Sequence, residues 1–284
     1  MKRCLRWCAA GLLAMAMSSS AQARKVVDAR PPLPATQAVH AEVIVLGKVV
    51  EIEDDTIEVA PFKGAAPDQR VSFKIAIIKI ENPLAGATGL TQLRVGFLSD
   101  APAPFALTAD MEGVFMISPH HAGDFHVAGQ RGIPLLKSDA NYAKELETIK
   151  KIAGAIDDPI TALKSKDKSE RSLAAMTLLA RYRGRPVNGK AVETDIPAEE
   201  NKLLIQAVAE MPWNPEETDQ AKPSRSSVWH FLQTEQLGFQ PPVINQPAPG
   251  APAPDYNKLW EEATGRFLKA NADKIKIKKL VAGR

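Results

Sequence analysis

The chain has 284 residues, 45% hydrophobic and 24% charged, which suits one large or two small soluble domains and excludes a wholly disordered chain. Only 6% are aromatic, and 22 Pro scattered among 17 Gly exclude a single regular helical array. Lys and Arg number 36 against 33 Asp and Glu.

Residues 1–23 read as a Sec-type signal peptide. Lys2, Arg3 and Arg6 form a cationic start, Trp7 to Met17 a short apolar run, and Ala21-Gln22-Ala23 a small-x-small cleavage site. A membrane anchor is the other reading, but the apolar run is shorter than the ~20 residues a spanning helix needs. Cleavage after Ala23 places the mature protein in the periplasm or outside the cell. It also removes both cysteines, Cys4 and Cys8. The mature chain is then expected to have no disulfide, no thiol nucleophile and no thiolate metal site. The segment holds three of the 36 cations and none of the 33 acids, so the formal mature charge is zero. A nucleic-acid binder shows a basic excess, so none is expected as partner. An integral membrane protein is not expected either.

Residues 24–39 read as a flexible lead. From 40 the period is that of strands. Val43, Val45, Gly47 and Val49 share one face, with Ile44, Leu46, Lys48 and Val50 on the other. This predicts a long strand, apolar on both sides at first. Asp54-Asp55 reads as a turn before Thr56–Val59. Further strands are expected at Arg70 to Ile80, Gln92 to Leu98, Gly113 to Ser118 and Phe125 to Val127. Several short strands without a helix suggest a small closed barrel or a sandwich.

The period changes after 139. Leu146, Ile149, Ile152 and Ile156 follow helical spacing, as do Leu173, Met176, Leu179 and Ala180. Leu203, Leu204, Ala207, Val208 and Met211 make a third stripe, begun by Pro197 with Glu199 and Glu200. Ser226 to Gln236 predicts a weaker helix. Residues 241–254 are proline-rich and read as an extended linker. Asp255 is the expected N-cap of a last helix with Tyr256, Leu259, Trp260, Ala263 and Phe267 on one face.

Ala41–Val50, Phe73–Ile80, the turn Asn82–Gly86, Leu93–Phe97 and Leu107–Ile117 together resemble the OB-fold domain of tissue inhibitors of metalloproteases and netrin modules. Inhibitors of that family chelate zinc through an N-terminal Cys, which the mature chain lacks, so the resemblance implies a fold and not an inhibitory mechanism. Asp158-Pro159, Ala162-Leu163-Lys164, Arg171, Ala174-Ala175 and Ala180–Arg183 behind such a domain also resemble uncharacterised secreted proteins of planctomycete-type bacteria. The expected class is therefore α+β: an OB-like β-barrel at 40–138, a helical domain at 139–240, the linker at 241–254, and a C-terminal helix with basic tail at 255–284.

Chemistry is sparse. His120, His121, Asp124 and His126 form the densest ligand-capable cluster. Across a strand–turn–strand, two or three imidazoles and a carboxylate would suit zinc; the competing reading is a polar hairpin tip. There is no Gly-x-Ser-x-Gly elbow, no phosphate-cradling loop, and no catalytic residue or cofactor is singled out. His230, between Trp229 and Phe231, reads as a core or interface residue. The carboxylate pairs Asp54-Asp55, Asp157-Asp158, Glu199-Glu200, Glu216-Glu217 and Glu261-Glu262 read as turns and caps. Phe73, Phe97 and Phe105 could stack a ligand but fall at core positions. Lys274 to Val281 alternates Lys with Ile, either as a patch for a polyanionic surface or as an edge strand with Ile275 and Ile277 inward. The expected function is a non-catalytic binding or scaffolding module for a protein or envelope partner. Two alternatives stand beside it: a metal-binding protein or metal-dependent hydrolase using His120 to His126, and a structural envelope protein held by the basic tail.

Overall fold

The computed structural model describes residues 33–101, 106–128, 132–186, 190–214, 223–243 and 254–283. The expected signal peptide, Phe105, Glu216-Glu217 and most of the linker lie outside them. By contact the chain divides into Met1–Arg30 and Pro31–Arg284, and the description concerns the second unit.

The chain is mixed α and β, with a six-stranded sheet, a two-stranded sheet and seven helices among the described residues. β1 (Val43–Val59), β2 (Val71–Ala85), β3 (Gln92–Leu98), β4 (Glu112–Pro119), β5 (His126–Ala128) and β6 (Leu135–Leu136) make the large sheet. β1 pairs antiparallel with β2, and β2 with β3. β3 pairs parallel with β5, β5 antiparallel with β4, and β4 antiparallel with β1. The pairings thus return to the strand where they began, and β6 adds to β4.

Alternation explains where the strands bury themselves. Val43, Val45 and Val49 join Ala76, Ile78, Leu93, Val95, Phe115 and Ile117 in one cluster. The opposite face of early β1, at Ile44, packs with Val114 and Met116 beneath two helices. That is why both faces of early β1 are apolar. The helices are α1 (Pro34–His40), giving Ala38 and Val39, and α2 (Tyr142–Asp157), giving Ile149, Ile152 and Ala153.

Three strand-region expectations need correction. Part of the expected flexible lead is helix α1, with Ala38 and Val39 buried; Pro34 suits its first turn, and the sheet supplies the apolar face it covers. Asp54-Asp55 is not a turn. β1 runs on through it, and the register shift between Ile52 and Thr56 makes Glu53–Asp55 a bulge. β2 continues five residues beyond Ile80, through Pro83 to Ala85.

The rest is helical apart from one ribbon. α3 (Pro159–Leu163), α4 (Lys168–Arg183), α5 (Ala198–Glu210), α6 (Arg225–Val228) and α7 (Tyr256–Asn271) surround a core of Leu163, Leu178, Leu179, Leu204, Val208 and Leu268. Caps follow the sequence: the side chains of Asp158, Asp167 and Asp255 accept from the N–H groups of Thr161, Ser169 and Lys258. The helix expected over Ser226 to Gln236 is instead α6 followed by two 3-10 turns, Trp229–Leu232 and Thr234–Leu237. Gln233 between them is left-handed at φ 51° and breaks the α repeat. β7 (Ala191–Asp195) pairs antiparallel with β8 (Lys278–Ala282). Ile275 and Ile277 do point inward, at 1% and 3% exposure, but they precede the strand. The buried Asn201 side chain holds them, donating to the Ile275 carbonyl at 2.9 Å and accepting from the Ile277 N–H at 2.8 Å. Among the described residues no helix is long and apolar enough to cross a membrane.

Candidate functional site

The His cluster lies where β4 turns into β5, over the face of the large sheet that carries Phe73 and Ile75. Alternation in β3 turns Leu93 and Val95 to the larger cluster and Arg94, Gly96 and Leu98 to this opposite face. Phe125 is 1% exposed and packs with Phe73 and Ile75, flanked by Ile57, Val59, Val71, Ile77 and Val127. Glycine makes the seat: a Cβ on Gly96 would stand 2.7 Å from the Phe125 ring, and one on Gly123 2.8 Å from it.

His120 stacks on Phe125, with ring centroids 4.7 Å apart at 13°, and meets Phe73 edge-on at 5.5 Å. Its backbone N–H donates to the Phe125 carbonyl at 2.8 Å, and its Nδ1 accepts from the Ala122 N–H at 3.3 Å. That acceptance assigns the proton of the neutral ring to Nε2, which is buried without a hydrogen-bond partner among the described residues. Burial, and then neighbouring His121, holds His120 below the usual histidine range. Burial also depresses His126, whose Nδ1 is likewise buried and unpartnered.

Asp124 turns away from the imidazoles to the Arg94 guanidinium, with Nη1 to Oδ1 at 2.8 Å. The same guanidinium grips both Glu53 oxygens, at 2.9 and 2.8 Å. The bidentate hydrogen bonds from Arg94 hold the Glu53 carboxyl below its usual range. One arginine on β3 thus ties the β1 bulge to the β4–β5 loop. The structure brings His120 and His121 together, with ring centroids 4.4 Å apart, but does not gather the four proposed ligands. Among the described residues no group of three or more His, Cys, Asp and Glu could hold a metal ion.

The other sequence candidates have structural occupations. Phe73 is buried and Phe97 packs against the larger cluster. His230, in the 3-10 turn Trp229–Leu232, is exposed beside Phe231 and so is not a core residue; the interface alternative is left open. Asp158 caps α3, Glu199 pairs with Lys164 and Glu262 with Arg266. A groove of about 360 Å³ lies between α2, α3 and α4, floored by Leu84, Ala155, Ala162 and Ala174. At its rim Ser165 donates to Glu170, but that bond and Lys151 hold the Glu170 carboxyl low, which makes it a weak base. Trp213, Trp229, Trp260, Phe239 and Phe267 pack on one another, the first stacked on the third at 4.7 Å and 11°.

Sequence reasoning passed over Arg94, Phe125 and Gly96. For Arg94 and Gly96 the signal was a strand alternating apolar residues with a cation and a glycine, which marks a face approached closely by another segment, here the one carrying Phe125. Comparison of the sequence with protein-family models and with curated proteins finds no match.

Proposed function

We propose that the chain is an exported, non-catalytic binding or scaffolding module of the periplasm or cell envelope, built on an OB-like barrel. The pairing order β1–β2–β3–β5–β4–β1 supports the barrel, since closure removes the open edges of a sheet. The three-part pattern of residues 1–23 supports export, with Arg24 as the mature N-terminus.

The observation that carries the binding reading is the β2–β3 face around Phe73 and Phe125. Ile57, Val59, Val71 and Ile77 are only half covered there, and Leu98 on β3 is 48% exposed. An apolar face left open on a folded domain marks an interaction surface, and in OB folds the strand 2–3 face is the one that takes ligands. The ionised, ion-paired Glu53 and Glu170 and the neutral buried His120 favour structure over acid–base work.

The test immobilises the mature chain, residues 24–284, and passes envelope extract over it. A partner retained by the native protein and lost with Leu98→Asp supports the reading. No retained partner, or retention indifferent to that change, overturns it. Sequencing of the exported protein from its N-terminus should begin at Arg24.

A further inference from the structure

Among the described residues the outer half of β1 is paired on only one side. Toward β2 the ladder runs to Val59 opposite Val71. Toward β4 it ends at Lys48 opposite Glu112. Only the Val49 N–H to the Met111 carbonyl and the Asp110 N–H to the Val49 carbonyl, both 2.9 Å, extend it. Beyond Val49 that side of β1 meets no strand among the described residues. At the far end the Arg70 guanidinium takes the Glu58 carbonyl at 2.6 Å. Among the described residues the open stretch is therefore Val50–Ile57, with Val50, Glu51, Asp54, Asp55 and Thr56 exposed. Such an edge presents main-chain donors and acceptors that another strand can take.

Charge selects the strand. Glu51, Glu53, Asp54 and Asp55 lie in this stretch, with no Lys or Arg among its residues. Arg94 neutralises Glu53, and no ion pair engages the other three among the described residues. A second copy would set carboxylates against carboxylates, which destabilises cross-strand pairing. Nucleic acid and acidic polysaccharide are repelled for the same reason. The bulge at Glu53–Asp55 bends the edge, so a short segment fits and a long flat one does not.

We infer that the open side of β1 over Val50–Ile57 is a docking edge for a short, extended, cationic segment of a partner protein, which adds as a further strand. The inference rests on the binding-module reading and names the chemistry of its partner. Main-chain hydrogen bonds hold the segment, and Lys or Arg at alternate positions meets the carboxylates.

The probe is a capped eight-residue peptide of alternating Lys and Val, titrated into the mature chain. It should bind at low salt and about ten-fold more weakly at about 300 mM salt, where screening shortens the reach of exposed charges. Amide exchange should slow at Val50–Ile57. The same peptide N-methylated along one edge keeps its charge and should lose binding, as should the native peptide with the Glu51→Lys, Asp55→Lys protein. Absence of binding, equal binding of the N-methylated peptide, or protection elsewhere overturns the inference. Envelope capture through Leu98 does not use this edge, so failure of the peptide and failure of the binding-module reading are read out separately.

Discussion

The Arg225 guanidinium donates to the Thr264 hydroxyl at 2.8 Å, fastening the start of α6 to the middle of α7. Arg225 is 2% exposed and meets no carboxylate in this bond set. Its other donors reach the carbonyls of Val208, Ala209, Met211 and Glu261, at 2.6–3.1 Å. The first three lie at the C-terminal end of α5, where a cation is favoured; Val208 also accepts from the Met211 N–H at 3.1 Å. Arg181 does the same for α1, donating to the Ala41 carbonyl at 2.6 Å. In both places a cation, buried at Arg225 and half-buried at Arg181, is satisfied by a helix end instead of an acid.

Arg225→Ala should therefore be among the most damaging single changes. Each buried carbonyl left without a donor costs about 1–3 kcal/mol, and Ala209 and Met211 both lose theirs, so the loss should be at least about 2 kcal/mol. Thr264→Val removes that bond and the hydroxyl's donation to the Trp260 carbonyl at 2.6 Å, and should cost about 1–2 kcal/mol. Urea denaturation at neutral pH measures both.

Gly86 and Gly89 should respond differently to alanine. Both have positive φ, 68° and 80°. A Cβ on Gly86 would stand 2.1 Å from the Glu42 carbonyl oxygen, whereas one on Gly89 meets nothing within 4 Å. Gly89→Ala should cost about 1–2 kcal/mol for the left-handed backbone alone. Gly86→Ala should cost more, because the Glu42 carbonyl at the start of β1 must move away from the end of β2. Thermal melts of the two variants side by side give the difference.

Tyr182 and Glu200 form a buried pair in which the phenol donates to the carboxylate, joining α4 to α5. Burial first, and then this bond, pushes the phenol well above its usual range. Tyr182→Phe should destabilise by about 1–3 kcal/mol, since the carboxylate loses its donor. Adding Glu200→Gln should recover part of that loss in a double-mutant cycle.

Stability should decline as pH falls through the histidine range. His120 and His126 have folded values below the ordinary ~6.5. The unfolded chain therefore takes up protons first on acidification. Their contribution is complete above ~6.5 and is lost as pH falls through the folded values. The melting temperature should drop as pH falls below about 6.5, and His120→Phe, which keeps the stack on Phe125, should flatten the drop. An unchanged slope in that variant would remove His120 from the account.

Local spacing carried much of this fold. β3 occupies Gln92–Leu98 as its alternation indicates, and Asp255 caps α7. The stripes of α2, α4 and α5 fall on buried positions such as Ile149, Leu179 and Leu204. The candidate site was less legible. The sequence set His120, His121, Asp124 and His126 side by side, but Arg94, thirty residues earlier, takes Asp124 away from them. Helix α1 also escaped notice, because its short apolar face has meaning only against Val114 and Met116 of β4.

The sequence by itself determined the periods: strands first, helices after, with caps where Asp precedes an apolar stripe. It did so because side-chain alternation and end-capping act within a few residues. Tertiary structure alone decided that β1 meets β4, that β7 finds β8 more than eighty residues away, and that Arg225 closes the end of α5. Those partners are chosen by which groups are left unpaired when the elements pack, and an unpaired group leaves no mark on the spacing of its neighbours.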